Sequence, residues 1–166
     1  MKPGHYWLHE LRRSAPARFA AVHCDPERVF GLLRDRPNEP LSWFNRAIAF
    51  LTTPFKRTGI SGWTPTGCVA LARGAAVRDA QHSTDGFWTI DLRLSEFSIG
   101  EPSAPADRYL RVEVEPGTAA HEVCAGSRIL TGAEVEVGGE VVIDEDPPPF
   151  PEIHPDSKFR IIGIQR

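Results

Sequence analysis

A chain of 166 residues is long enough for one ordinary core and too short for two of normal size, and 41% apolar with 25% charged residues excludes a disordered chain. The net charge of −3 conceals a split: residues 1–67 carry ten Lys/Arg and five Asp/Glu, whereas residues 68–166 carry nine and seventeen. The basic part therefore either docks on the acidic part or on an anionic partner, or both parts are ordinary solvated surface. Cys24, Cys68 and Cys124 form no Cys-x-x-Cys pair, so neither a zinc ribbon nor a redox motif is written here. An odd cysteine count, no apolar leader at the N-terminus and no run of about 18 apolar residues lead us to expect a cytoplasmic protein with no membrane span.

Residues 1–66 read as a helical N-terminal extension. Asp25-Pro26-Glu27 is a helix start, with an aspartate able to cap free amides and a proline suited to the first turn. Val29, Phe30, Leu32 and Leu33 follow as an apolar stripe, and Pro37 is expected to end it. A second helix is expected from Pro40 to Thr53, where Leu41, Phe44, Ile48 and Leu51 recur at helical spacing before Pro54. Trp43, Phe44 and Phe50 beside Arg46, Lys56 and Arg57 would suit a membrane surface, but the polar face is poor, so packing on the following domain is the expectation.

From Cys68 onward the period changes to two. Val69 to Val77 forms one strand, with Gly74 suited to a bulge. In Phe87–Leu94 the residues Trp88, Ile90, Leu92 and Leu94 share a face, and in Tyr109–Glu115 Leu110, Val112 and Val114 point inward with Tyr109, Arg111, Glu113 and Glu115 outward. Thr118 caps a short helix to Cys124, and strands follow near 134–143 and 159–164. Three strands, a helix and two strands make a mainly β domain over residues 67–166, a five-stranded OB-like Greek-key barrel, preceded by the α-helical N-terminal extension.

Asp91, Glu113 or Glu115, Cys124, Val135-Glu-Val-Gly-Gly139, Asp144 and Glu152-Ile-His-Pro155 stand in an order that resembles an OB-like domain of many bacterial proteins, one that closes on Glu-Ile/Leu-His-Pro. The resemblance covers residues 68–166 and implies the fold; it lends no activity. This chain departs from that pattern in its Asp146–Pro151 loop and its helical first third.

Asp91, Glu113, Asp144, Glu152 and His154 could gather on one side of a barrel, and such a set can hold a hard divalent ion that activates water, as in a phosphodiester hydrolase. Strand parity instead sets Glu113 and Glu115 outside, where solvated carboxylates belong, so no metal, no cofactor and no catalytic residue is expected. His154 is expected to fix the loop before it by hydrogen bonding. His5 and His9 have helical spacing without a His-Glu-x-x-His motif, and His121 with Cys124 is half a zinc site. Phosphate loops and nucleophile elbows are missing from the sequence.

The expected function is a non-enzymatic adaptor that grips a protein or peptide partner with the barrel face and the stiff, proline-rich loop Asp144–Pro155, using Tyr109, Arg111, Asp144, Phe150, Glu152 and His154. Single-stranded nucleic-acid binding is the alternative, with Tyr109, Phe87, Phe97 and Phe150 to stack and Arg73, Arg93, Arg111 and Arg160 to meet phosphates. No feature of the sequence sets the oligomeric state.

Overall fold

A computed structural model of the chain describes residues 23–40, 63–84, 86–145 and 148–164. Helix α1, Pro26–Leu32, starts where the sequence places it: the Asp25 carboxylate accepts from the Arg28 amide at 3.4 Å, and Pro26 opens the first turn. It stops at Leu32, ahead of Pro37, because Leu33 turns extended to bury its side chain. Val29 and Leu33 enter the core, and the Phe30 ring meets Phe97 edge-on at 5.8 Å. The expected second helix beyond Pro40, with Trp43, Phe44 and Phe50, and the His5/His9 pair lie outside the described residues.

The rest is mainly β. Strands β1 (Trp63–Ala76), β2 (Gln81–His82), β3 (Trp88–Ser98), β4 (Tyr109–Val114), β5 (Ala133–Asp144) and β6 (Phe150–Ile164) form a sheet in the order β1-β5-β6-β4-β3-β2. Strand β1 also pairs with β3, so the ladder turns back on itself. Every pairing is antiparallel except β4 with β6, which runs parallel through Arg111 opposite Glu152 and Val112 opposite Ile153. The described sheet has six strands where five were expected, the extra one being the two-residue β2.

The alternation read from the sequence sets the core. Ile90, Leu92 and Leu94 of β3 and Leu110, Val112 and Val114 of β4 are buried together with Val135, Val137, Val141 and Ile153; Trp88 is half-buried at their edge. Helix α2, Ala119–Gly126, is capped by Thr118 as expected, its hydroxyl accepting from the His121 amide at 3.2 Å, and buries Ala120 and Cys124. Register shifts let the long strands bend, among them one between Arg73 and Gly74 and one between Gly138 and Gly139. Neither position admits a side chain: a Cβ on Gly74 would run into the Arg93 carbonyl, and one on Gly139 into the His154 carbonyl.

Two expectations are corrected. The segment up to Pro155 is not a loop before a strand at 159, since β6 begins at Phe150 and pairs Pro151, Glu152, Ile153 and His154 with β5. Each proline removes only its own donor, and the residues between still complete the ladder. Cys24 and Cys68, 44 residues apart, are joined in a disulfide with their Cα atoms 4.8 Å apart, a pairing that the odd cysteine count did not suggest. The link ties the segment before α1 to β1 and, in the chain-entropy account, stabilises the fold by about 4 kcal/mol. Cys124 keeps its thiol, and burial pushes that thiol up to about 12.

Leu110→Ala should lower stability by about 2–5 kcal/mol, because it empties a fully buried site in the core; an unchanged urea midpoint would count against this core. Alkylation at pH 8 checks the cysteines: the native protein should take no label, the unfolded unreduced chain one, and the reduced chain three. Labelling of three cysteines without reductant would disprove the disulfide.

Candidate nucleic-acid interface

The inner faces of β3, β4 and β6 are apolar, and parity sends Thr89, Asp91, Arg111, Glu113, Glu115, Glu152 and His154 to the outer face. Parity was legible, but solvation was not. Arg111, Glu113 and Glu115 are only 8–9% exposed, and Asp91, Glu152 and His154 are more deeply buried still. The expectation of solvated outer carboxylates is therefore corrected. Among the described residues, Asn38 and Glu39 of the segment after α1 reach this face through their backbone carbonyls.

Asp91 is the centre of the layer. Its Oδ1 accepts from Arg111 Nε at 2.8 Å and its Oδ2 from Arg78 Nη1 at 2.6 Å, with a further bond from Arg111 Nη2 at 3.2 Å. Burial alone would lower the Arg111 pKa, but the hydrogen bond and charge of Asp91, joined by the charges of Glu113 and Glu152, outweigh it and hold the guanidinium above its ordinary value. Arg111 Nη2 also donates to the Glu39 carbonyl at 2.9 Å, and Arg78 Nη1 to the Asn38 carbonyl at 2.8 Å. The Thr89 hydroxyl donates to Glu113 at 3.2 Å.

Phe150 closes one end of the face. The Arg34 guanidinium carbon lies 4.5 Å from its ring centroid and that of Arg111 at 5.8 Å. Desolvation, followed by the nearness of Arg111, lowers the Arg34 pKa. At the other end His154 sits between two carboxylates, Nδ1 3.7 Å from Glu115 and Nε2 3.6 Å from Glu152. It stands on the buried face of β6.

The structure thus brings Arg111, Phe150, Glu152 and His154 together, with Tyr109 at the edge of β4 and Asp144 opposite Phe150 in the ladder. Of the proposed metal ligands Asp91, Glu113, Asp144, Glu152 and His154, Asp91 is committed to two arginines, and no group of three or more His, Cys, Asp or Glu among the described residues is arranged to hold a metal. Phe87 and Phe97 are core residues and cannot stack on a base. Arg93 and Arg160 are engaged by Asp107 at 2.8 Å and Glu136 at 2.9 Å. His121 reaches the Gly86 carbonyl at 2.9 Å, and Cys124 is buried, so these two do not form half a zinc site. Sequence reasoning missed Arg78, whose only signal was a cation just past the end of a strand.

The sequence matches no family model and no curated protein. Among solved structures, the N-terminal domain of PriB protein from Thermoanaerobacter tencongensis is similar at 11% identity and a TM-score of 0.40, over 58% of this chain and 97% of that one. The single-stranded DNA binding protein from Thermus aquaticus is similar at 15% identity and a TM-score of 0.36, over 60% of this chain and 42% of that one. A deletion mutant of the same protein gives 13% identity at the same score. The Thermus aquaticus protein is one named for single-stranded DNA binding. The expected adaptor function is corrected on the geometry: Pro151, Glu152, Ile153 and His154 are buried in β6 and present no stiff loop to a peptide. No helix among the described residues is long and apolar enough to cross a membrane.

Asp91→Ala should cost about 3–5 kcal/mol, since two guanidinium groups lose their buried carboxylate. Asp107→Ala, which breaks an exposed pair with Arg93, should cost no more than about 1 kcal/mol. Urea denaturation of the two variants checks this contrast, and equal shifts would contradict it.

Proposed function

We propose that residues 63–164 form an OB-type barrel whose outer β3–β4–β6 face binds single-stranded nucleic acid. Support for the fold comes from the pairing circuit: with β2 set aside, the five long strands pair in the circuit β1-β3-β4-β6-β5-β1, with α2 between the third and the fourth. That is the element order of the five-stranded Greek-key barrel in which the face of the second and third strands, flanked by the first and last hairpin loops, takes oligonucleotides. Here those strands are β3 and β4, and the flanking connections are the one from β1 to β3, which carries β2, and the one from β5 to β6.

The observation that carries the reading is the pairing of cations with an aromatic ring on that face. Arg78 and Arg111 supply fork-shaped donors suited to phosphate oxygens, and Phe150, only 8% exposed beneath the Arg34 guanidinium, supplies a flat apolar ring for a base that takes the place of Arg34. The carboxylates Asp91, Glu113 and Glu152 restrain Arg111, at the cost of overall attraction. With seventeen Asp/Glu against nine Lys/Arg in residues 68–166, binding depends on these local contacts and not on a general positive field. A cytoplasmic setting belongs to the same proposal.

Fluorescence anisotropy of labelled oligothymidine and oligouridine, titrated with and without dithiothreitol, tests it. Binding should weaken with salt, each arginine contributing about −0.7 to the logarithmic slope, so Arg111→Met should flatten the slope by about that amount. No binding at low salt in either redox state would contradict the proposal.

A further inference from the structure

Residues 34–39 form a strap across the face just described, bent at Asp35 and Arg36. The Tyr109 amide donates to the Arg34 carbonyl at 3.0 Å in an antiparallel bridge. The strap's Asn38 and Glu39 carbonyls take hydrogen bonds from Arg78 and Arg111 at 2.8 and 2.9 Å. Its Arg34 guanidinium covers the Phe150 ring and donates to the Pro148 carbonyl at 2.8 Å. Each contact substitutes for one that a single strand would make: carbonyl oxygens stand where phosphate oxygens would, and a planar guanidinium where a base would stack.

The strap is fastened upstream and fits imperfectly downstream. Cys24, ten positions before Arg34, is bonded to Cys68 of β1, and α1 between them docks through Val29 and Leu33. A covalent anchor this near keeps the strap at high effective concentration over the face. At its far end the side-chain oxygen of Asn38 is buried without a hydrogen-bond partner among the described residues, so the strap leaves a polar atom unsatisfied that a competing ligand need not.

We propose that residues 34–39 are an intramolecular occupant of the single-strand face, latched by the Cys24–Cys68 disulfide and released when a dithiol reduces that bond. The inference rests on the single-strand reading of the preceding section. Cys24 is exposed and Cys68 buried, so a dithiol thiolate attacks the Cys24 sulfur and Cys68 leaves. The second thiol of the reductant then displaces Cys24, closing the reductant's own disulfide. Two electrons and two protons pass to the protein, which ends with two thiols. In a reducing compartment a disulfide of this kind is characteristically transient and regulatory.

The test uses the full chain, oxidised, reduced with dithiothreitol, and as Cys24→Ser, with fluorescein-labelled oligothymidine as probe and hydrogen exchange of the Tyr109 amide as a readout of the strap alone. If the strap covers the face at least nine-tenths of the time, release should tighten binding by about tenfold or more and speed Tyr109 exchange by a similar factor. Arg34→Ala, which loosens the strap with the disulfide intact, should also tighten binding and keeps the test decisive if the reduced chain folds poorly. Equal affinities across oxidised, reduced and Arg34→Ala proteins, with binding present, would overturn the latch and leave the single-strand reading standing. No binding in any state would overturn both.

Discussion

Asp91 and the two guanidinium groups it holds fix the relation between the sheet and the segment that crosses it. Asp91 lies on β3, Arg111 opposite it on β4 and Arg78 just beyond β1, so one carboxylate ties together three stretches of the sheet. Both arginines then extend past Asp91 to the carbonyls of Asn38 and Glu39. A buried ion pair of this kind adds little net stability over an apolar replacement, yet removing one partner is costly. Its contribution here is geometric: it sets two guanidinium forks at fixed positions on an outer face that would otherwise be free to vary.

The backbone makes that face possible. The bulges at Gly74 and Gly139 bend β1 and β5 and bring neighbouring strands so close that no side chain fits at either position. Curvature turns the pairing circuit back to β1 and sets β6 beside β4, and that parallel contact brings Glu152 opposite Arg111. Phe150, at the first position of β6, then falls within reach of both Arg34 and Arg111. A change at either bulge would therefore reach the outer face through strand register, with no direct contact to it.

What the sequence made legible was local or periodic. The Asp25 and Thr118 caps, the Gly74 bulge and the inward alternation of Leu110, Val112 and Val114 follow from side-chain chemistry within a few residues, and all appear in the structure. What stayed hidden depends on contacts far apart in the chain. The burial of Arg111 involves the segment at Glu39, 72 positions away, and the Cys24–Cys68 bond spans 44 residues. The start of β6 was obscured by prolines at 151 and 155, which read as a stiff loop and instead sit inside a ladder completed by their neighbours. The candidate site was half legible, since Arg111, Phe150, Glu152 and His154 were identifiable as residues, whereas Arg78 and the strap that meets them were not.

A map of backbone amide chemical shifts during titration with oligothymidine, in the presence of dithiothreitol, locates the bound strand. The largest changes should fall on Asp91, Arg111 and Phe150, and the amides of residues 34–39 should shift with them as the strap is displaced. Changes confined to another surface, such as the exposed Val69 and Leu71 of β1, or no changes at all, would contradict single-strand binding at this face.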